Sequence, residues 1–255
     1  MVRMRHQESV NHLASTDKRT QESLRDRLAR AADSFRIEHI GERNRWPDGR
    51  ERIACPMDDY LQKMLELLSK HQLIICQAQT GAGKTSRIPQ ALALAIPNEK
   101  VVVTQPRRAA VRWNSGHVAH EMGSPLGGRV GYRLAREQPK VHDNTQVFFK
   151  IDQSVVGDVK RTGKLPEGVL VIDEAHERSI PLDLLMGMVK KYLPNSPNTK
   201  VIVTSATIDT QKFSSFFDGA PVLDVPGRMY SVAVENRSLQ KYERHSKAAA
   251  EAAGT

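Results

Sequence analysis

The sequence predicts an α/β domain in which a mostly parallel central sheet is flanked by helices. Short, uninterrupted apolar runs rich in β-branched residues recur at 72–76, 101–104, 147–149, 169–172 and 201–204, the pattern of strands buried on both faces. Helical or loop-like sequence separates them. The clearest helix carries Leu182, Leu185, Met186, Val189 and Leu193 at the i, i+3, i+4, i+7 spacing of a helix laid on a sheet. A glycine-rich loop stands between the first run and a helical stretch at 86–95, as in a strand–loop–helix unit that receives phosphate.

In chain order, residues 1–52 hold 12 Lys/Arg against 9 Asp/Glu and few apolar positions, so they form a charged extension without a core of its own. Within it Leu24, Leu28, Ala31 and Phe35 make a thin helical stripe. The stripe either docks on the domain or a partner, or belongs to a frayed charged helix. The domain proper spans 53–237. It opens with Leu61, Met64, Leu65 and Leu68 at helical spacing, then the run at 72–76 as a buried strand. Residues 238–255 turn polar and alanine-rich and read as a helical or disordered tail. No repeat of solenoid period is present.

Composition sets outer bounds. A chain of 255 residues that is 39% hydrophobic buries one good core. A formal charge of +9 favours a polyanionic partner, although a basic soluble surface gives the same number. Cys55 and Cys76 are too few for a zinc site, and Cys76 sits in an apolar run where a buried thiol is expected. No apolar stretch has the length of a membrane span, and the amino terminus lacks the apolar centre of a secretory signal. The expectation is a soluble protein of a reducing, cytoplasmic compartment.

The loop Ala78-Gln79-Thr80-Gly81-Ala82-Gly83-Lys84-Thr85 carries the first chemistry. Glycines at 81 and 83 let backbone N–H groups turn inward, and the next helix points its positive end at the phosphates. Lys84 is placed to meet the β and γ phosphates, and the Thr85 hydroxyl to hold Mg²⁺. Gln79, Thr80, Gly81, Ala82, Gly83 and Ser86 complete the expected nucleotide contacts. The second site follows the run at 169–172: Asp173-Glu174-Ala175-His176-Glu177-Arg178-Ser179. A buried strand thus delivers two carboxylates to its carboxyl end, where open parallel sheets bind ligands. Asp173 suits Mg²⁺, and Glu174 suits orienting water against the γ phosphate.

Asp173-Glu174-Ala175-His176 with its Glu-Arg-Ser extension is the DEAH box, and the chain resembles the DEAH-box ATP-dependent RNA helicases of superfamily 2 over residues 53–232. Ala78 stands where the strict phosphate-loop pattern has glycine, as it does in many superfamily 2 helicases. Thr104-Gln105-Pro106-Arg107-Arg108 resembles the first nucleic-acid-contacting motif, with Arg107 and Arg108 as phosphate ligands. Val130-Gly131-Tyr132 resembles the next segment. Ser205-Ala206-Thr207, followed by Ile208-Asp209, resembles the motif that couples hydrolysis to movement, and His176 links the nucleotide site to neighbouring motifs. Phe216-Phe217, Ala220-Pro221 and Val225-Pro226-Gly227-Arg228 resemble the stretch before a second RecA-like domain.

The resemblance implies a single RecA-like P-loop NTPase domain that uses ATP and Mg²⁺, binds RNA and closes on a second RecA-like domain in cis or trans. Several positions depart from the family pattern. His117 stands where the family often has an adenine-stacking arginine, so it either stacks on the base or is an exposed helical histidine. Ile151-Asp152-Gln153 replaces Thr-Asp-Gly, and Ala135 replaces an arginine, with Arg133 and Arg136 close by. No Gln-x-x-Gly-Arg-x-Gly-Arg segment follows Arg228. The arginine fingers it supplies are worth about 10³ to 10⁵ in rate, so the expectation is little turnover by this chain alone. Two other functions compete with a helicase domain: a non-unwinding ATP- and RNA-binding fragment or split subunit, and a P-loop nucleotide kinase, which would lack Ser205-Ala206-Thr207.

Overall fold

The structure, a computed structural model, describes residues 22–35, 54–207 and 209–227. Ile208, Arg228, the tail at 238–255 and the rest of the extension lie outside the described residues. Seven strands form one sheet in the order β3-β4-β2-β5-β6-β1-β7, and all paired strands are parallel. They are β1 (Leu73–Ala78), β2 (Val101–Gln105), β3 (Val130–Tyr132), β4 (Val147–Ile151), β5 (Gly168–Ile172), β6 (Thr199–Ser205) and β7 (Val222–Val225). The five apolar runs are the five central or near-central strands. The two short strands, β3 and β7, lie at the edges, and three or four residues are too few to leave a long apolar signal.

Among the described residues seven α-helices cover the sheet: α1 (Leu24–Ser34), α2 (Leu61–Lys70), α3 (Lys84–Ala95), α4 (Arg108–Glu121), α5 (Asp152–Thr162), α6 (Ile180–Tyr192) and α7 (Thr210–Phe216). Alternate strand residues feed two cores. Ile74, Cys76, Val101, Val103, Val169, Val171 and Ile202 pack with α1 to α4, whereas Leu73, Ile75, Val102, Leu170, Ile172, Val201 and Val203 pack with α5 and α6. This period of two explains why the strands lack polar alternation: both faces are buried.

The stripe in the extension docks on the domain. Leu24, Leu28, Ala32 and Phe35 are buried in the first core, α1 packs on α2, and Gln62 Nε2 donates to the Ala32 carbonyl at 3.3 Å. Ala32, not Ala31, completes the stripe, because i+3 and i+4 steps from Leu28 are both helical and only the facing α2 chooses between them. α3 begins at Lys84, two residues before the expected start, because the loop's Gly83, at φ 92°, turns directly into the helix. Leu193 ends the expected α6 stripe in a 3-10 turn rather than in the helix itself.

Candidate active site

The carboxyl ends of β1, β2, β5 and β6 meet where α3 leaves toward one face and α6 toward the other, the crevice at which such sheets bind ligands. Register sets the contacts. Thr104 pairs with Ile172 and Ile172 with Val203, so the next residues, Gln105, Asp173 and Thr204, lie side by side. Asp173 is 1% exposed and is held by four donors. Thr85 Oγ1 donates to Oδ2 at 2.6 Å, Gln105 Nε2 to Oδ2 at 2.7 Å and the Glu174 backbone N–H to Oδ1 at 3.0 Å. The Thr204 hydroxyl donates to Oδ1. A carboxylate is this deeply buried only when so satisfied.

The loop from 79 to 83 folds over its own lysine. Lys84, 4% exposed, donates from Nζ to the carbonyls of Ala78 at 2.6 Å and Gln79 at 3.1 Å. Gly81 and Gly83 have φ of 81° and 92°, conformations that favour glycine. A Cβ on Gly83 would stand 2.8 Å from Cys55 Cβ, so space and dihedral both exclude a side chain there. The 3-10 turn Pro56–Tyr60 braces the loop through the Met57 N–H, which donates to the Ala82 carbonyl at 3.0 Å. Behind it Arg87 bridges Asp58 and Glu121, each at 2.9 Å. Burial pulls the guanidinium pKa down, but Glu121 and Asp58 outweigh it and leave the group above its ordinary value.

Glu174 adopts φ 54°, ψ 43°, a left-handed conformation that costs an L residue roughly 1–2 kcal/mol. Its side chain lines a cleft of about 300 Å³ together with Thr80, Gly81, Gly83, Lys84, Thr85 and Ser86 from the loop and Asn114, His117 and Val118 from α4. Burial, and next the charge of Asp173, push its carboxyl above the usual range. His117 therefore does stand on the cleft wall, where its Nε2 lies 3.7 Å from Glu121. His176 Nδ1 lies 3.3 Å from Glu174 Oε2, and its 3-10 turn packs on β6. β6 ends in Ser205, which is fully buried, and Thr207 beyond it is exposed.

Arg107 and Arg108 stand at the start of α4 on the same sheet edge, apart from the cleft. Arg107 pairs with Glu177 of the DEAH extension at 3.1 Å. Arg108 donates to the Ala135 carbonyl at 2.8 Å and pairs with Glu137, which Arg112 also holds, at 2.6 Å. Asp152, the retained member of the altered Thr-Asp-Gly segment, begins α5 at 2% exposure. Burial raises its pKa, as do the nearby Asp173 and Glu177 charges, and the Thr104 hydroxyl opposes them. Sequence reading missed Gln105, Thr204, Cys55, Arg87 and Glu121. Gln105 lay inside a motif read for nucleic-acid contact and Thr204 directly before one; the other three gave no signal as site residues.

Thr85 Oγ1 and Asp173 Oδ2 converge 2.6 Å apart at the mouth of a glycine loop. Two hard oxygens beside a phosphate cradle form the donor set Mg²⁺ accepts when phosphate and water supply its remaining ligands, so these residues fit the ion. Comparison with known proteins agrees with this geometry, since the DEAD/DEAH box helicase model matches residues 60–216. The chain belongs to the DEAD/DEAH box helicase family. It is 37% identical over 187 residues to the ATP-dependent RNA helicase HrpA of Escherichia coli (strain K12), covering 72% of this chain and 14% of that protein. It is 38% identical over 186 residues to the probable ATP-dependent RNA helicase DHX34 of Homo sapiens, covering 72% of this chain and 16% of that protein. The family's helicase ATP-binding domain, of DEAH type, is thus what the described residues form. Among them no helix is long and apolar enough to cross a membrane.

Proposed function

We propose that this domain binds ATP with Mg²⁺ and RNA, and hydrolyses ATP to remodel RNA in the cytoplasm once a second RecA-like domain closes the cleft. The observation that carries this reading is the convergence of Lys84, Thr85 and Glu174 on one cleft, with Asp173, 88 residues from Thr85 in the chain, hydrogen-bonded to Thr85 beneath it. Mg²⁺ held by Thr85 and Asp173 would neutralise charge on the β and γ oxygens. Backbone N–H groups of 79–83 and the amino end of α3 cradle the phosphates, and Lys84 faces the β and γ groups. Glu174 orients the attacking water and takes its proton, which its raised pKa favours. His117 covers the base.

Arg107 and Arg108 hold RNA phosphates, exchanging Glu177 and Glu137 for the polyanion. Because Arg107 pairs with Glu177, three residues from Glu174, RNA that draws off this arginine changes the charge beside the DEAH box. His176 and the Ser205–Thr207 segment relay the same coupling to β6. Among the described residues lining the cleft, Lys84 is the cation and no arginine is present. The transition-state charge on the γ phosphate therefore needs arginines from another domain. The chain spans 14% and 16% of the length of these two relatives.

The test is calorimetry with Mg-ATP. Lys84→Ala should abolish binding while leaving the circular dichroism unchanged; unaltered affinity would reject the loop assignment. Adding the second RecA-like domain of a related helicase in trans should produce RNA-stimulated hydrolysis that Glu174→Gln removes without removing ATP binding.

A further inference from the structure

α4 carries on its solvent side an aromatic that neither the cores nor the cleft use. Trp113 is 77% exposed, the most exposed of the Trp, Tyr and Phe side chains among the described residues. It follows Arg112 directly and stands one turn before His117, with Val111, Ser115 and Val118 forming the buried face. Its helical neighbours are small or polar: Ala109 is exposed, Gly116 has open space where a Cβ would be, and His120 is exposed. The indole face is therefore accessible to a flat group. Among the described neighbours on α4 there is no apolar rim of the kind a protein docking patch needs.

The amino-terminal half of α4 is cationic. The side chains of Arg107, Arg112 and Arg108 are 73%, 51% and 41% exposed, and Arg133 and Arg136 are exposed on the loop that Arg108 fastens to α4 through the Ala135 carbonyl. Glu137 and Glu177 are the carboxylates that face these arginines. An exposed indole on the helix whose amino-terminal half carries a cationic edge fits a single-stranded polynucleotide, whose phosphates take the arginines while a base stacks on the ring. We propose that Trp113 is a stacking platform for one base of single-stranded RNA. The proposal rests on the reading of Arg107 and Arg108 as phosphate ligands and extends the RNA site along α4. Stacking tolerates any base, so the platform adds affinity and not sequence preference.

The chain has two tryptophans, and Trp46→Phe leaves Trp113 as the only tryptophan, excited selectively over tyrosine at the red edge of the absorption band. Titrated with short oligoadenylate or oligouridylate, this variant should show saturable quenching by both, and none with inorganic polyphosphate, which has charge without bases. Trp113→Ala should weaken RNA binding about 5- to 150-fold, the range of one base stacked on an aromatic. It should do so without altering the salt slope, while Trp113→Phe retains most of the affinity. Arg107→Ala with Arg108→Ala should instead make the salt slope shallower. RNA binding with its salt slope intact, but with neither quenching nor a Trp113→Ala effect, overturns the platform and leaves the phosphate reading standing. Failure of RNA to bind at all overturns both. Quenching by ATP alone assigns the indole to the nucleotide, and a concentration-dependent blue shift with a larger species in gel filtration assigns it to self-association; either result overturns the proposal.

Discussion

Removing Arg87 should destabilise the domain more than any surface charge change. Its side chain is 3% exposed and bridges Asp58 and Glu121, which are 14% and 4% exposed, at 2.9 Å each. Arg87→Met keeps the length and apolar stem but removes the cation that bridges the two carboxylates. Breaking a buried pair by deleting one member costs about 3–5 kcal/mol, because the remaining charge has lost its compensation. Partial relief comes from the Cys55 N–H, which donates to Asp58 Oδ2 at 2.7 Å, and from Gln90, which donates to Glu121. Relief of this kind keeps two broken contacts from doubling the cost. For a chain of this size, about 2–4 °C of Tm accompanies each kcal/mol, so a loss of about 6–20 °C is expected. Urea unfolding measures the free energy and thermal circular dichroism the Tm. Adding Glu121→Gln to the Arg87 variant should recover part of the loss, since the neutral amide no longer needs a cation. A cost under about 1 kcal/mol, or no recovery in the double variant, would refute the claim that burial of the pair sets the magnitude.

Two further outcomes follow from backbone and charge. Gly83→Ala places a methyl at φ 92° and 2.8 Å from Cys55 Cβ; it should cost about 1–2 kcal/mol for the dihedral alone and abolish Mg-ATP binding. Pairing it with Cys55→Gly should restore stability only in part, as urea unfolding would show; full restoration would mean that the clash alone sets the cost. For Glu174, burial and the charge of Asp173 raise the carboxyl pKa above 4.5, and the ionised form is the one that orients water. Hydrolysis in the complemented two-domain system should therefore rise with pH along an acid limb centred above 4.5. In Glu174→Gln the residual rate should lose that limb; an unchanged limb would assign the titration to another group.

What the sequence determined by itself was local. A phosphate loop is contiguous, and its glycines, lysine and threonine announce themselves because backbone turn and helix amino terminus are built within eight residues. The DEAH box is contiguous for the same reason, and five β-branched runs show a sheet buried on both faces because burial on both faces removes polar alternation. Short edge strands such as Val130–Tyr132 and Val222–Val225 left no such trace, since three or four residues set no period.

Tertiary structure alone decided the partners. Gln105 and Thr204 reach Asp173 across 68 and 31 residues because parallel register lines up the three strand ends, and register follows from side chains on both faces of the sheet. Ala32 rather than Ala31 entered the core because α2 faces it. Arg87 lies inside a helix pattern where an arginine is expected to be solvated; it is buried because Asp58 and Glu121, from two other elements, arrive at the same point. Charge burial of this kind depends on which elements meet, and no spacing along one chain segment records that meeting.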